Sequence, residues 1–131
     1  MNNTLYNCAR YLYGIPLSIT GLIYLLQPQG TVETLTSFIP GDLLLIYVAG
    51  ILWFILGLLI SFNIKVRYAC LGVIMLFSMY LIMIHVPAIY NGEYLNIVWF
   101  ELLRNISLIA GAIFILALEK QESYENKCSN I

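Results

Sequence analysis

The twenty residues 43–62, LLLIYVAGILWFILGLLISF, decide the fold of this chain because they contain no charged side chain. A helix needs about 20 apolar residues to cross the hydrocarbon layer of a bilayer. A helix formed by this stretch is apolar around its whole circumference, which is typical of a segment surrounded by lipid and other helices. The stretch therefore predicts a transmembrane helix.

The composition of the whole chain agrees with a membrane location. Of its 131 residues, 61% are hydrophobic and only 10% are charged, whereas soluble domains carry about 25% charged residues. So few charges cannot cover the surface of a small globule, which excludes a soluble enzyme, a disordered tail and a disulfide-stapled secreted module. The net charge of −1 excludes a nucleic-acid partner, because binding to phosphates requires a basic patch.

Three further apolar stretches are long enough to span a bilayer, at residues 5–26, 68–90 and 95–118. Lipid offers no hydrogen bonds to free backbone groups, so each span is expected to be helical. The links at 27–42, 63–67 and 91–94 are short and force neighbouring helices to run antiparallel. We predict an all-α membrane protein, an antiparallel four-helix transmembrane bundle over residues 1–120 with a short cytoplasmic tail at 121–131.

The positions of Lys and Arg predict the orientation of the bundle. Cytoplasmic links of membrane proteins carry an excess of basic residues. With four crossings, five of the six basic residues fall on one side: Arg10, Lys65, Arg67, Lys120 and Lys127. The other two links contain only acidic charges. We therefore expect a multi-pass protein of the plasma (cytoplasmic) membrane with both termini in the cytoplasm.

The first link has helix signals of its own. Thr31 is a suitable N-cap, Glu33 lies near the positive end of the helix dipole, and Pro40 with Gly41 stops the segment. Two interpretations stay open: a short interfacial helix on the outer membrane surface, or an ordinary loop.

Glycine spacing suggests how the spans meet. Small residues let helices approach closely inside lipid, and a spacing of seven residues is close to two helical turns. Gly14 and Gly21 make such a pair in the first span, and Gly50 and Gly57 make one in the second. Helix packing is the favoured reading, with close approach of a ligand as the alternative; similar roles are expected in the last two spans of Gly72, Gly111, Ala110 and Ala112.

Besides Arg10 near the start of the first span, three ionisable residues lie within the spans, where each costs about 2.5–3.5 kcal/mol to insert and is a functional candidate by default. His85 is in the third span, and Glu101 and Arg104 are in the fourth. At 1.5 Å per residue they lie about 8, 9 and 14 Å from the outer end of their spans. Glu101 and Arg104 share a helical face because they are three residues apart.

These residues and their neighbours suggest a ligand site in the outer half of the bilayer. Asn105 borders the face of Glu101, His85 is expected to approach Glu101 from the third span, and Tyr80 and Trp99 are candidate aromatic walls. Such a set suits a quinone headgroup, which exchanges hydrogen bonds while the apolar bundle surrounds its tail. The alternative is structural, a buried cluster that locks the third helix to the fourth.

Other chemistries receive less support. Arg10 is expected to extend to the inner headgroups, with a binding role as the alternative. One His and one Glu are too few ligands for a metal site. The cysteines, at 8, 70 and 128, all map to the reducing cytoplasmic side and form no C-x-x-C pair, which disfavours a quinone-coupled disulfide-forming enzyme.

Over residues 5–120 the chain resembles the DoxX family of small bacterial four-span membrane proteins. The resemblance rests on the order and spacing of several short motifs rather than on any one of them. In chain order these are Ala9-Arg10 with Gly14 and Gly21, Pro28, Ile39-Pro40, Gly50 and Gly57, Lys65-Val66-Arg67, His85-Val86-Pro87, and Glu101 to Asn105.

The resemblance implies a four-helix fold and an association with membrane redox work. The matching polar set is His85, Glu101 and Asn105. Two positions depart from the family pattern. Trp53 stands where members often carry a Glu, and Tyr24 stands where a His or Lys often closes the first span. The resemblance therefore does not extend to a proton- or ion-linked role at those positions.

We expect an accessory or quinone-linked subunit of a membrane redox system, embedded in the lipid bilayer and working with a membrane or periplasmic redox protein. The alternative is a non-enzymatic scaffold that assembles partners. A small transporter is the weakest alternative, because so short a chain contains no visible inverted repeat. A homo-oligomer stays open, and the residues themselves identify neither a catalytic group nor a cofactor beyond the suggested quinone.

Overall fold

A computed structural model describes residues 3–28, 42–92 and 95–129, and every regular element in these ranges is helical. The helices are α1 (Asn3–Leu26), α2 (Asp42–Ser61), α3 (Val66–Tyr80), a π-helical turn (Leu81–His85), α4 (Val86–Asn91) and α5 (Leu95–Ser129). The predicted all-α bundle is confirmed. The predicted interfacial helix beginning near Thr31 lies outside the described residues.

Four helical stretches are long and apolar enough to cross a membrane: Thr4–Leu26, Leu43–Ser61, Val66–Met83 and Trp99–Ser129. The second has the highest mean hydropathy, 2.8, as expected from its lack of charge. Large apolar side chains such as Leu12, Leu44 and Met75 point outward. A surface of this kind is stable against lipid rather than water, so the predicted four-span membrane protein is confirmed.

The fourth span continues well beyond the hydrocarbon layer. α5 contains 35 residues, which at 1.5 Å per residue is about 52 Å of helix, compared with about 30 Å of hydrocarbon. The segment predicted as a tail from residue 121 is therefore the helical extension of α5 as far as Ser129.

The closest backbone contact in the bundle joins α1 to α2 through the predicted glycine pairs. A Cβ atom added to Gly21 would lie 2.7 Å from the Gly50 carbonyl oxygen, and one added to Gly57 would lie 2.7 Å from the Gly14 carbonyl oxygen. Gly14 thus faces Gly57 while Gly21 faces Gly50, which shows that the two helices run antiparallel. The packing role of all four glycines is confirmed.

The glycines of the last two spans also lie at helix contacts, but they face side chains rather than backbone. A Cβ atom on Gly72 would meet the Leu56 side chain at 3.1 Å, and one on Gly111 would meet the Tyr13 ring at 2.8 Å. Each glycine makes room for a large side chain from α1 or α2. The expected packing role of Gly72 and Gly111 is confirmed, with side chains rather than backbone as their partners.

The turn between α2 and α3 is built on two left-handed residues, Asn63 with φ 60° and Lys65 with φ 46°. The amide groups of the turn fold back on the end of α2. Phe62 donates to the Leu58 carbonyl, Asn63 to Ile60, and Ile64 to Leu59. Three of the last four carbonyl groups of α2, which have no partner within the helix, are satisfied in this way.

The core of the bundle is apolar and contains side chains from all four spans. Fully or almost fully buried side chains are Trp53 and Ile60 from α2, Cys70, Val73 and Phe77 from α3, and Ala112 and Ile115 from α5, with Tyr6 and Leu17 from α1. Tyr13 adds a direct bond between α1 and α5, because its hydroxyl donates to the Leu108 carbonyl oxygen at 2.6 Å.

Candidate functional site

The two charged residues of the fourth span form an ion pair within a single helix. Arg104 donates to the Glu101 carboxylate, and their spacing of three places both on one face of α5. Neither side chain is fully buried. The ion pair itself therefore forms within α5. The alternative in which His85 joins the pair and locks the third helix to the fourth depends on a side chain outside the described part of the structure.

Two tyrosines from other helices lie beside this ion pair. The Arg104 guanidinium approaches the Tyr24 hydroxyl of α1, and Glu101 lies within electrostatic range of it. Tyr80, at the end of α3, is within electrostatic range of Tyr24, Glu101 and Arg104. The half of the bundle that the basic residues predict to face outward therefore gathers polar groups from three of the four spans.

The fourth contributor is Trp53 of α2, whose ring is the centre of an aromatic cluster. Its centroid lies 4.8 Å from that of Tyr24, 5.2 Å from that of Phe77 in a stacked arrangement, and 6.2 Å from that of Tyr80 edge-on. Trp53 is only 2% exposed, and its indole nitrogen Nε1 has no hydrogen-bond partner among the described residues.

Asn105 is the most deeply buried polar side chain near this cluster. It follows Arg104 directly, lies about one turn from Glu101, and is 0% exposed. Neither Nδ2 nor Oδ1 has a partner in the part of the chain that the structure describes. Burying a polar group without a partner costs about 1–3 kcal/mol, so Asn105 imposes a free-energy cost on the folded bundle without contributing a side-chain hydrogen bond.

We call the six residues Tyr24, Trp53, Tyr80, Glu101, Arg104 and Asn105 the outer polar cluster. It combines an aromatic stack, three buried polar atoms without partners and an ion pair that is more exposed. Neutral groups therefore occupy the interior and charged groups the edge. This arrangement can hold a flat, uncharged headgroup by hydrogen bonds.

Four of the six residues predicted from sequence belong to this cluster: Tyr80, Glu101, Arg104 and Asn105. His85 is the last residue of the π-helical turn, and the expected approach of its side chain to Glu101 lies outside the described part of the structure. Trp99 is 50% exposed. The aromatic contacts around Trp53 are made by Tyr24, Phe77 and Tyr80.

Sequence reasoning did not assign Tyr24 and Trp53 to the site, although it singled both out as departures from the family pattern. Their spacing from the packing glycines could have identified them. Tyr24 follows Gly21 by three residues, and Trp53 follows Gly50 by three, so each shares a helical face with a packing glycine. The contact between Gly21 and Gly50 brings these two rings together.

Arg10 forms a second polar feature, at the opposite end of the bundle. Its side chain is 4% exposed, and it donates through its terminal nitrogen to the Ser61 carbonyl oxygen at 3.2 Å. The guanidinium carbon lies 5.0 Å from the centre of the Tyr6 ring and 5.7 Å from that of Tyr11. The side chain is directed into the protein, so the expectation that it extends to the headgroups is wrong.

The physical reason for this placement is the end of α2. The Ser61 carbonyl is the one among the last four of that helix that the following turn does not satisfy, and the negative end of the helix dipole favours a cation there. Arg10 provides both a donor and a positive charge. Its role is therefore a cap on α2 supplied by α1.

Within the described residues, no three His, Cys, Asp or Glu side chains come together as a metal-binding group. Comparison of the chain with family models, with curated proteins and with solved structures finds no match.

Proposed function

We propose that this chain is a DoxX-like accessory subunit of a membrane redox system and that its outer polar cluster binds the headgroup of a quinone. The observation that carries the proposal is the pair of buried, unpartnered polar side chains, Asn105 and Trp53. A ligand that accepts from Nδ2 and Nε1 would offset the cost of burying both groups.

The surroundings of these two side chains fit a quinone better than a charged metabolite. The ring contacts around Trp53 suit a flat conjugated head, and the interior of the cluster is neutral. The lipid-facing surface of the bundle also gives an isoprenoid tail an apolar environment. Because the atoms of Asn105 do not reach solvent, binding requires neighbouring side chains to move aside.

The buried amide also favours binding over a purely structural role. A side chain retained to hold helices together is expected to hydrogen-bond across an interface. Asn105 makes no such bond among the described residues. A scaffold function offers no use for its amide, whereas a ligand site does.

The basic residues of the second link and of the α5 extension support the orientation in this proposal. Lys65, Arg67, Lys120 and Lys127 lie at the same end of the bundle as Arg10, and Lys and Arg concentrate on the cytoplasmic side of plasma-membrane proteins. The outer polar cluster would then lie in the periplasmic leaflet, where it is accessible to a membrane or periplasmic redox partner.

The test is the quinone content of the protein purified in a mild detergent, measured by solvent extraction and chromatography. We expect the wild type to retain quinone near one per chain and Asn105→Leu, which keeps the same branching and number of side-chain heavy atoms, to retain at least tenfold less. Ser107→Ala is the matched control. Ser107 is exposed on the same helix and bonds only the Leu103 carbonyl, so its substitution is expected to leave the quinone content unchanged.

Asn105→Leu is expected to remain folded, because it removes an unpartnered polar group and not a bond. Equal quinone content in the wild type and in Asn105→Leu would refute the site. Loss of a co-purifying partner without any change in quinone would instead favour the scaffold function.

A further inference from the structure

The buried part of the outer polar cluster contains more hydrogen-bond donors than acceptors. Trp53 Nε1 carries one N–H and cannot accept. The Asn105 amide carries two N–H groups on Nδ2 and a single acceptor atom, Oδ1. All three atoms are without partners among the described residues. The unpartnered atoms therefore offer three N–H groups and one acceptor oxygen. This ratio does not change if the amide group is rotated.

The remaining members of the cluster do not reverse this balance inside the site. Tyr24 and Tyr80 each add one hydroxyl group, which can donate and accept, and so leave the excess of donors in place. Glu101 is the strongest acceptor, but its Oε2 already receives a hydrogen bond from Arg104 and the pair lies at the more exposed edge. Arg104 is a donor only. A ligand that reaches the interior therefore meets mainly N–H groups.

The two redox forms of a quinone differ in whether their oxygen atoms can donate hydrogen bonds. The carbonyl oxygens of the oxidised form only accept hydrogen bonds. Reduction by two electrons and two protons converts both carbonyls to hydroxyl groups, each of which has a proton to donate. A quinol has two protons to place, and Asn105 Oδ1 is the one buried acceptor atom of the cluster without a partner among the described residues. The second proton would have to compete for a tyrosine hydroxyl group.

We propose, building on the quinone site above, that the outer polar cluster prefers the oxidised quinone to the quinol. Trp53 supplies the selectivity because its indole can only donate. Asn105 can serve either form, since it donates through Nδ2 and accepts through Oδ1. By linkage, a quinone held here is harder to reduce than the same quinone free in the bilayer.

The test compares the affinities of the two redox forms. Quinone-free protein in detergent is titrated without oxygen with a benzoquinone that carries a ten-carbon tail, and separately with its quinol, by calorimetry. We expect the quinone to bind on the order of tenfold more tightly, since one net hydrogen bond is worth about that factor. In Trp53→Phe, which keeps an aromatic ring and removes the donor, the ratio is expected to fall to within about twofold of one.

Two further variants complete the design. Asn105→Leu leaves Trp53 as the selective donor, so both forms should bind more weakly while the preference for quinone persists. Ser107→Ala, outside the cluster, should match the wild type in both affinities.

Each outcome has a distinct meaning. Quinol binding as tightly as quinone to the wild type would overturn the preference and leave the quinone site standing. An unchanged ratio in a folded Trp53→Phe protein would overturn the role of the indole, as would loss of the preference in Asn105→Leu. Failure of both forms to bind the wild type would reject the site itself and the preference with it.

Discussion

Single side chains in this protein have roles that their position in a span does not reveal. Arg10 and Arg104 are both arginines within apolar stretches, yet Arg10 caps a neighbouring helix and Arg104 pairs within its own helix. Insertion costs alone mark both as functional candidates. The partner of each guanidinium determines which of them belongs to the site.

The capping role of Arg10 predicts a loss of stability when the guanidinium is removed. Arg10→Met deletes a charged hydrogen bond to the last carbonyl of α2 and two cation–π contacts, so the free energy of unfolding should fall by about 2 kcal/mol. Unfolding with SDS in mixed micelles measures this change. Arg10→Lys keeps the charge near the helix end and should recover part of the loss. A fully stable Arg10→Met protein would contradict the cap.

Removing the ion pair of α5 is expected to change the stability of the bundle in a different way from removing Arg10. Glu101→Leu alone and Arg104→Leu alone each leave one charge unpaired within the span and should destabilise the bundle by up to about 3 kcal/mol. The double variant removes both charges together, at the cost of the contact between Arg104 and Tyr24, so it should be more stable than either single variant. The same unfolding measurement decides this. A double variant as unstable as the single variants would show that the pair does hold helices together.

At the scale of elements, the position of a glycine determines whether a methyl group is tolerated there. Gly57 contacts backbone, whereas Gly72 contacts the end of the flexible Leu56 side chain. Both residues lie within helices, where alanine is intrinsically better than glycine by about 1 kcal/mol. Alanine substitution at these two positions therefore distinguishes a glycine that lets two backbones approach closely from one that only leaves space for a side chain.

Gly57→Ala should destabilise the bundle by about 1–3 kcal/mol, because its methyl group would lie 2.6 Å from the Ser18 amide nitrogen and would separate α1 from α2. Gly72→Ala is the matched control. It meets only a Leu56 methyl group at 3.1 Å and should be at least as stable as the wild type. Equal effects of the two substitutions in thermal unfolding would refute the close contact between α1 and α2.

At the scale of the whole molecule, the proposed topology places the two ends of the bundle in different compartments. Cys128 is exposed on the extension of α5, and Asn91 is exposed at the opposite end of the bundle, at the end of α4. In a Cys8→Ser background the buried Cys70 is shielded from reagents. A membrane-impermeant maleimide should then label Cys128 only from the cytoplasmic side.

Asn91→Cys provides the complementary half of this experiment. In intact cells the impermeant reagent should label Asn91→Cys and spare Cys128, while in inverted vesicles the pattern should reverse. Labelling of both positions from one side would contradict a bundle whose ends face opposite compartments. The wild-type residue at 91, with Cys128 present, gives the background for each measurement.

The four spans, their antiparallel order and the glycine faces that join α1 to α2 follow from the residues of the chain alone. These features depend on local quantities, namely the length of apolar runs, the length of links and the spacing of small residues, which can be read without knowledge of distant contacts. The interval of seven residues between Gly14 and Gly21 predicts a common face whatever packs against it.

Which polar residues come together depends instead on how the helices pack against one another. Tyr24 and Trp53 are 29 positions apart in the chain, and their rings meet because Gly21 and Gly50 let two helices touch. The inward direction of Arg10 depended on a carbonyl that the α2 turn leaves without a partner, and the burial of Asn105 depended on the rotation of α5 in the bundle. Such pairings are set by the relative placement of helices, which apolar periodicity constrains poorly in spans that are apolar on every face.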